Sequence, residues 1–313
     1  MGARGSPLSL AQSGMLARAL GEVHQGLLFK IVPIKTSGDD PGRKPTGPMG
    51  VKGLFVKEIE EAILEGRVDF AIHSAKDLPG LLPEGLVLGA APERALPFDA
   101  LITESQSSLS SLPQGARVGT SSLRRRAQLL ALRPDFKIKP IRGNLDTRIN
   151  KVKSKECDAV VLAASGLMRL KGEDYPFAEI APAEMLPAPG QGILALELRA
   201  ADEQVAGLLS PLNHRPTQTA LAAERAFMTS LAAGCQTPAA AWARVEEEFL
   251  FMEALVAELD GSLVLREEGR IPFPETLEPA AALGASLAEA LLLKGGAEII
   301  AKAEREVAKE WEE

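Results

Sequence analysis

Residues 116–163 read ARVGTSSLRRRAQLLALRPDFKIKPIRGNLDTRINKVKSKECDAVVLA, and this stretch decides the fold class. Short apolar runs at 117–119, 136–141 and 159–163 read as strands, while residues 123–132 and 145–153 carry a helical period. The hydroxyl turn Thr120-Ser121-Ser122 and the breaker Pro134 punctuate them. Strands alternating with helices imply right-handed crossovers and a mainly parallel sheet, in which ligands bind beyond the carboxyl ends of the strands. The loops that follow strands are therefore where chemistry is expected.

The same alternation extends in both directions. Upstream, GLFVKEIEEAILEGR at 53–67 places Phe55, Ile59, Ala62 and Ile63 on one helical face, and VDFAIH at 68–73 reads as a strand feeding a loop closed by Pro79, Pro83 and Gly85. Downstream, Pro187-Ala188-Pro189-Gly190-Gln191-Gly192 is a rigid turn leading into an apolar strand at 193–198, read as a crossing back to the first unit. After Pro216 come a helix at 220–232 and strands at 249–258 and 262–267. Asp260-Gly261 between the strands is a hairpin signal. A helical tail at 281–313 is interrupted at Gly295-Gly296. The expected organisation is a discontinuous first domain, residues 1–92 and 193–212, a second at 93–192 and a third, α+β in character, at 213–313. Residues 39–51, rich in proline and glycine and without a period, are expected to form a mobile lid.

Composition narrows the class. The chain has 313 residues, 46% hydrophobic and 25% charged, with a formal net charge of −7. That balance suits a globular protein and argues against nucleic-acid partners, which need a broad basic face. No apolar run reaches the roughly 18 residues of a membrane span, and no basic leader precedes an apolar segment. A cytoplasmic chain without membrane partners is expected. Two cysteines and three histidines without ligand spacing indicate neither a disulfide framework nor a metal site.

Within this frame, three features stand out chemically. Arg124, Arg125 and Arg126 lie in the first turn of a helix, where cations oppose the positive helix end at about 0.3–1 kcal/mol each. A bound anion would offset that, and successive helical residues project about 100° apart, so Arg124 and Arg125 are favoured to share one cleft. Arg142, Arg148 and Arg4 near Ser6 recur at similar strand-to-helix loops, a pattern suited to a small ligand with several carboxylates. Asp77 follows a strand in HSAKDLP beside Lys76, where a carboxylate can act as a general acid or stabilise a developing cation. His73 reads as a satisfied strand-end histidine. Cys235 sits between Gly234 and Pro238 on a loop where its sulfur is open to alkylation, whereas Cys157 precedes an apolar strand and reads as a packed small hydrophobe.

Taken together and in order, Arg4-Gly5-Ser6-Pro7-Leu8, Gly53-Leu54-Phe55-Val56-Lys57-Glu58, HSAKDLP, Val118-Gly119-Thr120-Ser121-Ser122-Leu123-Arg124-Arg125 and Arg142-Gly143-Asn144 resemble the signature segments of the hydroxymethylbilane synthase (porphobilinogen deaminase) family. The resemblance continues through Pro189-Gly190-Gln191-Gly192, Ala223-Glu224-Arg225 and Gly234-Cys235-Gln236. It implies two periplasmic-binding-protein-like (type II) α/β domains around a cleft, with a smaller C-terminal α+β domain that presents the cysteine. It implies a monomeric transferase that condenses four porphobilinogen molecules on a dipyrromethane cofactor held by Cys235 through a thioether, then releases the linear tetrapyrrole by hydrolysis. Asp77 would be the catalytic group. Lys76, Thr120, Ser122, Arg124, Arg125 and Arg142 would hold the cofactor, and Arg4, Ser6, Lys52, Arg142, Arg148 and Gln191 the substrate. The family usually begins with a strand before the segment matching Arg4, and here Met1 lies close upstream. A non-catalytic binding module for a small polycarboxylate is the competing reading. A thiol-dependent acyl transferase is a third, disfavoured because no histidine sits in a pairing motif with Cys235.

Overall fold

The computed structural model describes residues 1–39, 56–105, 107–231 and 237–312. Chain order begins with β1 (Gly2–Arg4), α1 (Pro7–Val23), β2 (Val32–Ile34), α2 (Lys57–Leu64), β3 (Phe70–Ser74) and β4 (Leu86–Ala90). It continues with β5 (Asp99–Ile102), β6 (Arg117–Gly119), α3 (Leu123–Leu132), β7 (Lys137–Lys139), α4 (Leu145–Lys153), β8 (Ala159–Ala163), α5 (Ala164–Lys171) and β9 (Ala178–Ile180). Then come β10 (Leu194–Arg199), α6 (Glu203–Leu209), α7 (Arg215–Ser230), β11 (Ala239–Glu246), β12 (Phe249–Ala257), β13 (Val264–Pro272), α8 (Glu278–Leu291) and α9 (Ala297–Glu312). The expected lid beyond Asp39, Lys52 and Cys235 lie outside the described residues.

Two five-stranded sheets, ordered β2-β1-β3-β10-β4 and β7-β6-β8-β5-β9, and a three-stranded sheet β11-β12-β13 form the frame. This agrees with the expected α/β class, two sheet-plus-helix units and a smaller α+β one. The expectation of mainly parallel strands holds for four of the five in each large sheet, and the fifth runs against them. β1 pairs parallel with β2 and β3, and β6 with β7 and β8, but β10 runs antiparallel to β3 and β4, and β5 antiparallel to β8 and β9. The cause is the connectivity. β5 and β10 follow the segments that cross from one sheet to the other, and each enters its new sheet from the side where its parallel neighbours end. A strand is indeed present before the Arg4 segment, since β1 ends at Arg4 and pairs with two neighbours.

Side-chain caps fix where the helices start. Ser6, with Pro7 after it, accepts from the Ser9 amide, Ser122 from Arg125 and Asn144 from Thr147. α1 covers one face of the first sheet, with Leu16 and Leu20 packed on Phe70, Ile72, Leu194, Leu196 and Leu198. α2 covers the other, with Ile59, Ala62 and Ile63 on Ala71 and Leu86. α7 and α8 lie on the third sheet, where Phe227, Leu283 and Leu287 pack on Leu250 and Met252. Cys157 is 3% exposed within the second unit's core beside Ile141 and Val160, and burial pushes its thiol up.

α2 also buries a charge that its apolar period does not announce. Glu60 is 7% exposed, and one carboxyl oxygen has no hydrogen-bond partner. Burial, and after it the nearby Glu197 carboxylate, push Glu60 up to about 7 from 4.5. Because the folded state holds this proton more tightly, its contribution to stability is full below pH 4.5 and is lost as pH rises through 7. Glu60→Gln keeps a neutral side chain at every pH. Urea melts at pH 5 and pH 8 are expected to show the variant gaining on the order of 2 kcal/mol relative to wild type at the higher pH, with little difference at the lower.

Candidate active site

The topology gathers the candidate residues at one place. Arg4 ends β1, and the turn Ala75–Asp77 follows β3. In the second sheet, Thr120 and Ser122 follow β6, Arg142 follows β7, and α5 follows β8. These are carboxyl ends of parallel strands in both sheets, and the crossing strands begin at the same edges, with Asp99 opposite Ala163 and Leu194 opposite Ser74. A cleft between the two sheets is the direct result.

The turn carrying Lys76 and Asp77 is held from several sides. Gln12 of α1 is buried and hydrogen-bonds the Ser74 hydroxyl, and the Ala75 amide donates to the Ile193 carbonyl at 2.9 Å. Gly190 has φ of +73°, and a Cβ there would stand 2.8 Å from the Lys76 nitrogen. The PGQG turn thus lies directly on the Ala75–Lys76 backbone, which only glycine permits. Asp77 itself is exposed and Lys76 half-buried.

Electrostatics join the two sides. Burial lowers Lys76 to about 8, with Asp77 and Asp99 opposing the shift and Arg125 and Arg124 adding to it. Arg148 is likewise lowered, mainly by burial and then by Arg125, against the pull of Asp77. Asp77 of the first unit thus shares one field with Arg125 and Arg148 of the second. Arg148 is steadied by its Nε, which donates to the Gly143 carbonyl at 2.9 Å.

Asp99, which the sequence reading missed, is the anion at the start of α3. Its carboxylate accepts from Arg124 Nη2 at 2.7 Å and from Arg125 Nη2 at 2.7 Å and Nε at 3.2 Å. Arg124 also donates to the Leu186 carbonyl and Arg125 to that of Val161. Burial alone would raise Asp99, but the two guanidinium charges and their hydrogen bonds prevail and hold it well below the usual carboxylate range. Arg124 and Arg125, both nearly buried, thus hold an internal carboxylate with their forks. Gln191, expected at the substrate, is 1% exposed, and its amide nitrogen donates to Asp99 at 3.0 Å and to Pro97. The hydroxyls of Ser6 and Ser122 cap helices, and Thr120 is buried with its hydroxyl accepting from the Ser122 amide. Arg142 is exposed at the rim. A lone aspartate opening an apolar strand, Asp99-Ala100-Leu101-Ile102, was the one available signal for the missed anion.

A second buried pair closes the base. Arg94 Nη1 donates to Glu224 at 2.7 Å and to the Ala243 carbonyl, while its Nε donates to the Gln191 carbonyl at 2.9 Å. Glu224 accepts as well from the amides of Gly190 and Ala243. Arg169 donates to Gly192 at 2.7 Å, and burial lowers it to about 10. Among the described residues no cluster of acids, histidines and cysteines could hold a metal, and no helix is long and apolar enough to cross a membrane.

The two α/β units thus bring paired arginines, one exposed carboxylate and a half-buried lysine into one electrostatic neighbourhood. Residues 1–207 match the model of the porphobilinogen deaminase dipyromethane cofactor binding domain, and residues 218–293 that of the porphobilinogen deaminase C-terminal domain. The porphobilinogen deaminase of Syntrophotalea carbinolica is 46% identical over 96% of this chain and 94% of its own length. That of Carboxydothermus hydrogenoformans is 44% identical over 98% and 97%. The chain belongs to the porphobilinogen deaminase family, transferases of tetrapyrrole synthesis.

Two measurements test this geometry. Lys76 loses its positive charge as pH rises through about 8, so apparent affinity for substrate is expected to decline over that range, and Lys76→Arg should flatten the decline. Steady-state kinetics from pH 7 to 10 decides it. Arg125→Ala leaves Asp99 with one guanidinium in a buried setting and should lower stability by about 3–5 kcal/mol. Arg142→Ala, exposed at the rim, should change the denaturation midpoint little.

Proposed function

We propose that this chain joins four porphobilinogen molecules head to tail on a dipyrromethane cofactor bound through a thioether to Cys235, and then releases hydroxymethylbilane by hydrolysis. What supports this reading is the match of residues 1–207 to the dipyromethane cofactor binding domain, together with the grouping of Lys76, Asp77, Arg125 and Arg148. Each pyrrole brings an acetate and a propionate, so a dipyrrole is a polyanion. The charge-coupled groups are Lys76, Arg124, Arg125 and Arg148 against Asp77 and Asp99, an excess of cations that fits such a group. Lys76, Arg142, Arg148 and Arg4 are the donors assigned to the side-chain carboxylates, with Ser6 and Lys52 as further contacts. Arg124 and Arg125 act from the floor, and Thr120, Ser122 and Gln191 shape it.

Asp77 assists the departure of ammonia from the aminomethyl carbon of porphobilinogen, and its carboxylate then balances the cation left on that substrate. When bound, the cofactor supplies the free pyrrole carbon to which the new carbon–carbon bond is made, with loss of a proton. Lys76 and Arg148 orient the reacting ring through its carboxylates and bring the aminomethyl group to Asp77. Water enters in the last step to free the product. The C-terminal part of α7 lies beside the Asp77 turn, since Arg225 donates to the Gly80 carbonyl at 2.8 Å and a Cβ at Gly80 would stand 2.6 Å from the Thr229 hydroxyl. That supports delivery of the tethered group into this cleft.

Mass spectrometry of intact protein and of tryptic peptides, with single-turnover ammonia release, tests the assignment. Wild type and Cys157→Ser should carry the dipyrrole on the peptide containing Cys235, the latter with some loss of stability from a buried hydroxyl. Cys235→Ser should lack it. Asp77→Asn should keep the adduct and release ammonia on the order of a hundredfold to a thousandfold more slowly. An adduct on Cys157, no adduct at all, or near-normal release in Asp77→Asn would overturn the reading, and an unmodified chain that binds polycarboxylates would favour the binding module.

A further inference from the structure

The face of the first sheet that packs on α2 contains a group of charges set back from the cleft. Ala195 pairs with His73 and Glu197 with Ala71 in the β10–β3 ladder, so His73 and Glu197 project from the same face on neighbouring strands. His73 Nε2 stands 3.0 Å from a Glu197 carboxyl oxygen, with both side chains nearly or wholly buried. Glu60 reaches the same region from α2, and Arg225 from α7, where it feels the Glu197 charge. Both Glu197 oxygens, His73 Nε2 and Arg225 Nη1 are buried without a well-formed hydrogen bond. The His73–Glu197 contact at 3.0 Å is the close pairing in this group, with Glu60 and Arg225 in its neighbourhood.

Its position relative to the Asp77 turn gives it a consequence. His73 precedes the turn, and Gly80 closes it. Arg225 Nη2 donates to the Gly80 carbonyl at 2.8 Å, and Gly80 lies so close to α7 that a Cβ would stand 2.6 Å from the Thr229 hydroxyl. One anchor is therefore His73, in contact with Glu197, and the other is Arg225, which holds Gly80 and on which the Glu197 charge acts. We infer that Glu197 is a positioning residue for the reaction: through His73 and Arg225 it fixes both ends of the Lys76–Asp77 turn and ties that turn to the helix leading to Cys235. Glu197 touches no reacting atom. It acts on the chemical step through the placement of Asp77, where displacement of an ångström is enough to cost orders of magnitude in rate.

This inference rests on the assignment of Asp77 as the reacting carboxylate, and the experiment separates the two. Holo-protein of verified adduct mass is prepared for wild type, Asp77→Asn, Glu197→Gln, Glu197→Asp and Arg225→Gln, and single-turnover ammonia release is followed well below each melting temperature. Glu197→Gln should slow release at least tenfold with KM within about twofold of wild type. Glu197→Asp should recover most of the rate, and Arg225→Gln should reproduce the defect. A buried charge cluster serving stability alone would lower the melting temperature and leave the rate in place. Release within twofold of wild type in Glu197→Gln, or a joint loss of KM and rate, overturns the inference while slow Asp77→Asn leaves the site assignment standing. If Glu197→Gln does not fold, Arg225→Gln is read by the same criteria, its side chain being only half-buried. Normal release in Asp77→Asn overturns both.

Discussion

The carboxylate of Glu224 is the interaction on which the relation among the three units depends. It lies wholly buried on α7 and binds Arg94 in the outbound crossing, the Gly190 amide in the return crossing and the Ala243 amide in the third sheet. Burying one carboxylate and one guanidinium is costly, and the arrangement is stable because each carboxyl oxygen accepts two donors. With every acceptor site engaged, none of the three partners can shift without leaving a buried charge short of a partner. The crossings, and the Lys76 backbone on which Gly190 rests, are registered to the third unit by this one group.

Guanidinium groups gathered in one place repel, and Arg125 lies in the field of both Arg124 and Arg148. Asp99 answers this from within. By holding Arg124 and Arg125 together and tying Gln191 to the same carboxylate, it offsets part of the repulsion and fixes the floor in place. Lys76 and Arg148 remain above as the groups whose charge is most exposed to burial, and an arriving carboxylate relieves that penalty. Such preorganisation lets donors stabilise charge without rearranging during the reaction.

The turn with Lys76 and Asp77, the hydroxyl turn before α3, and the boundaries of α3, α4, β6 and β8 were legible because each follows from local pattern: a strand, a polar turn, an apolar period. What escaped was long-range or ran against propensity. Asp99 meets Arg124 and Arg125 only after the sheet has formed, and Arg94 meets Glu224 across three units. β11, Ala-Ala-Ala-Trp-Ala-Arg-Val-Glu, has the composition of a helix and is a strand because β12 pairs with it throughout. α1 mixes serine, glycine and glutamine with its apolar residues and drew no helical reading, yet Leu16 and Leu20 suffice to dock it. The antiparallel entries of β5 and β10 were hidden for the same reason, as strand direction is fixed by where the chain has just come from.

That path also sets an order of assembly during synthesis. β10 lies between β3 and β4 in the first sheet, but it is made after the entire second sheet. As the chain emerges, β1 to β4 lack their central partner while β5 to β9 already form a complete sheet with its helices. The unit that begins first is therefore finished second, and until β10 arrives the edge of β3 that it pairs with, Phe70–Ser74, has no partner on that side. The ends of β3 and the turn beyond it take their final form at this closure, when Glu197 and Ile193 arrive together with the strand. A nascent chain released short of that point would hold a folded arginine-rich half beside an open, aggregation-prone one. The returning strand is thus the element that completes the turn carrying Lys76 and Asp77.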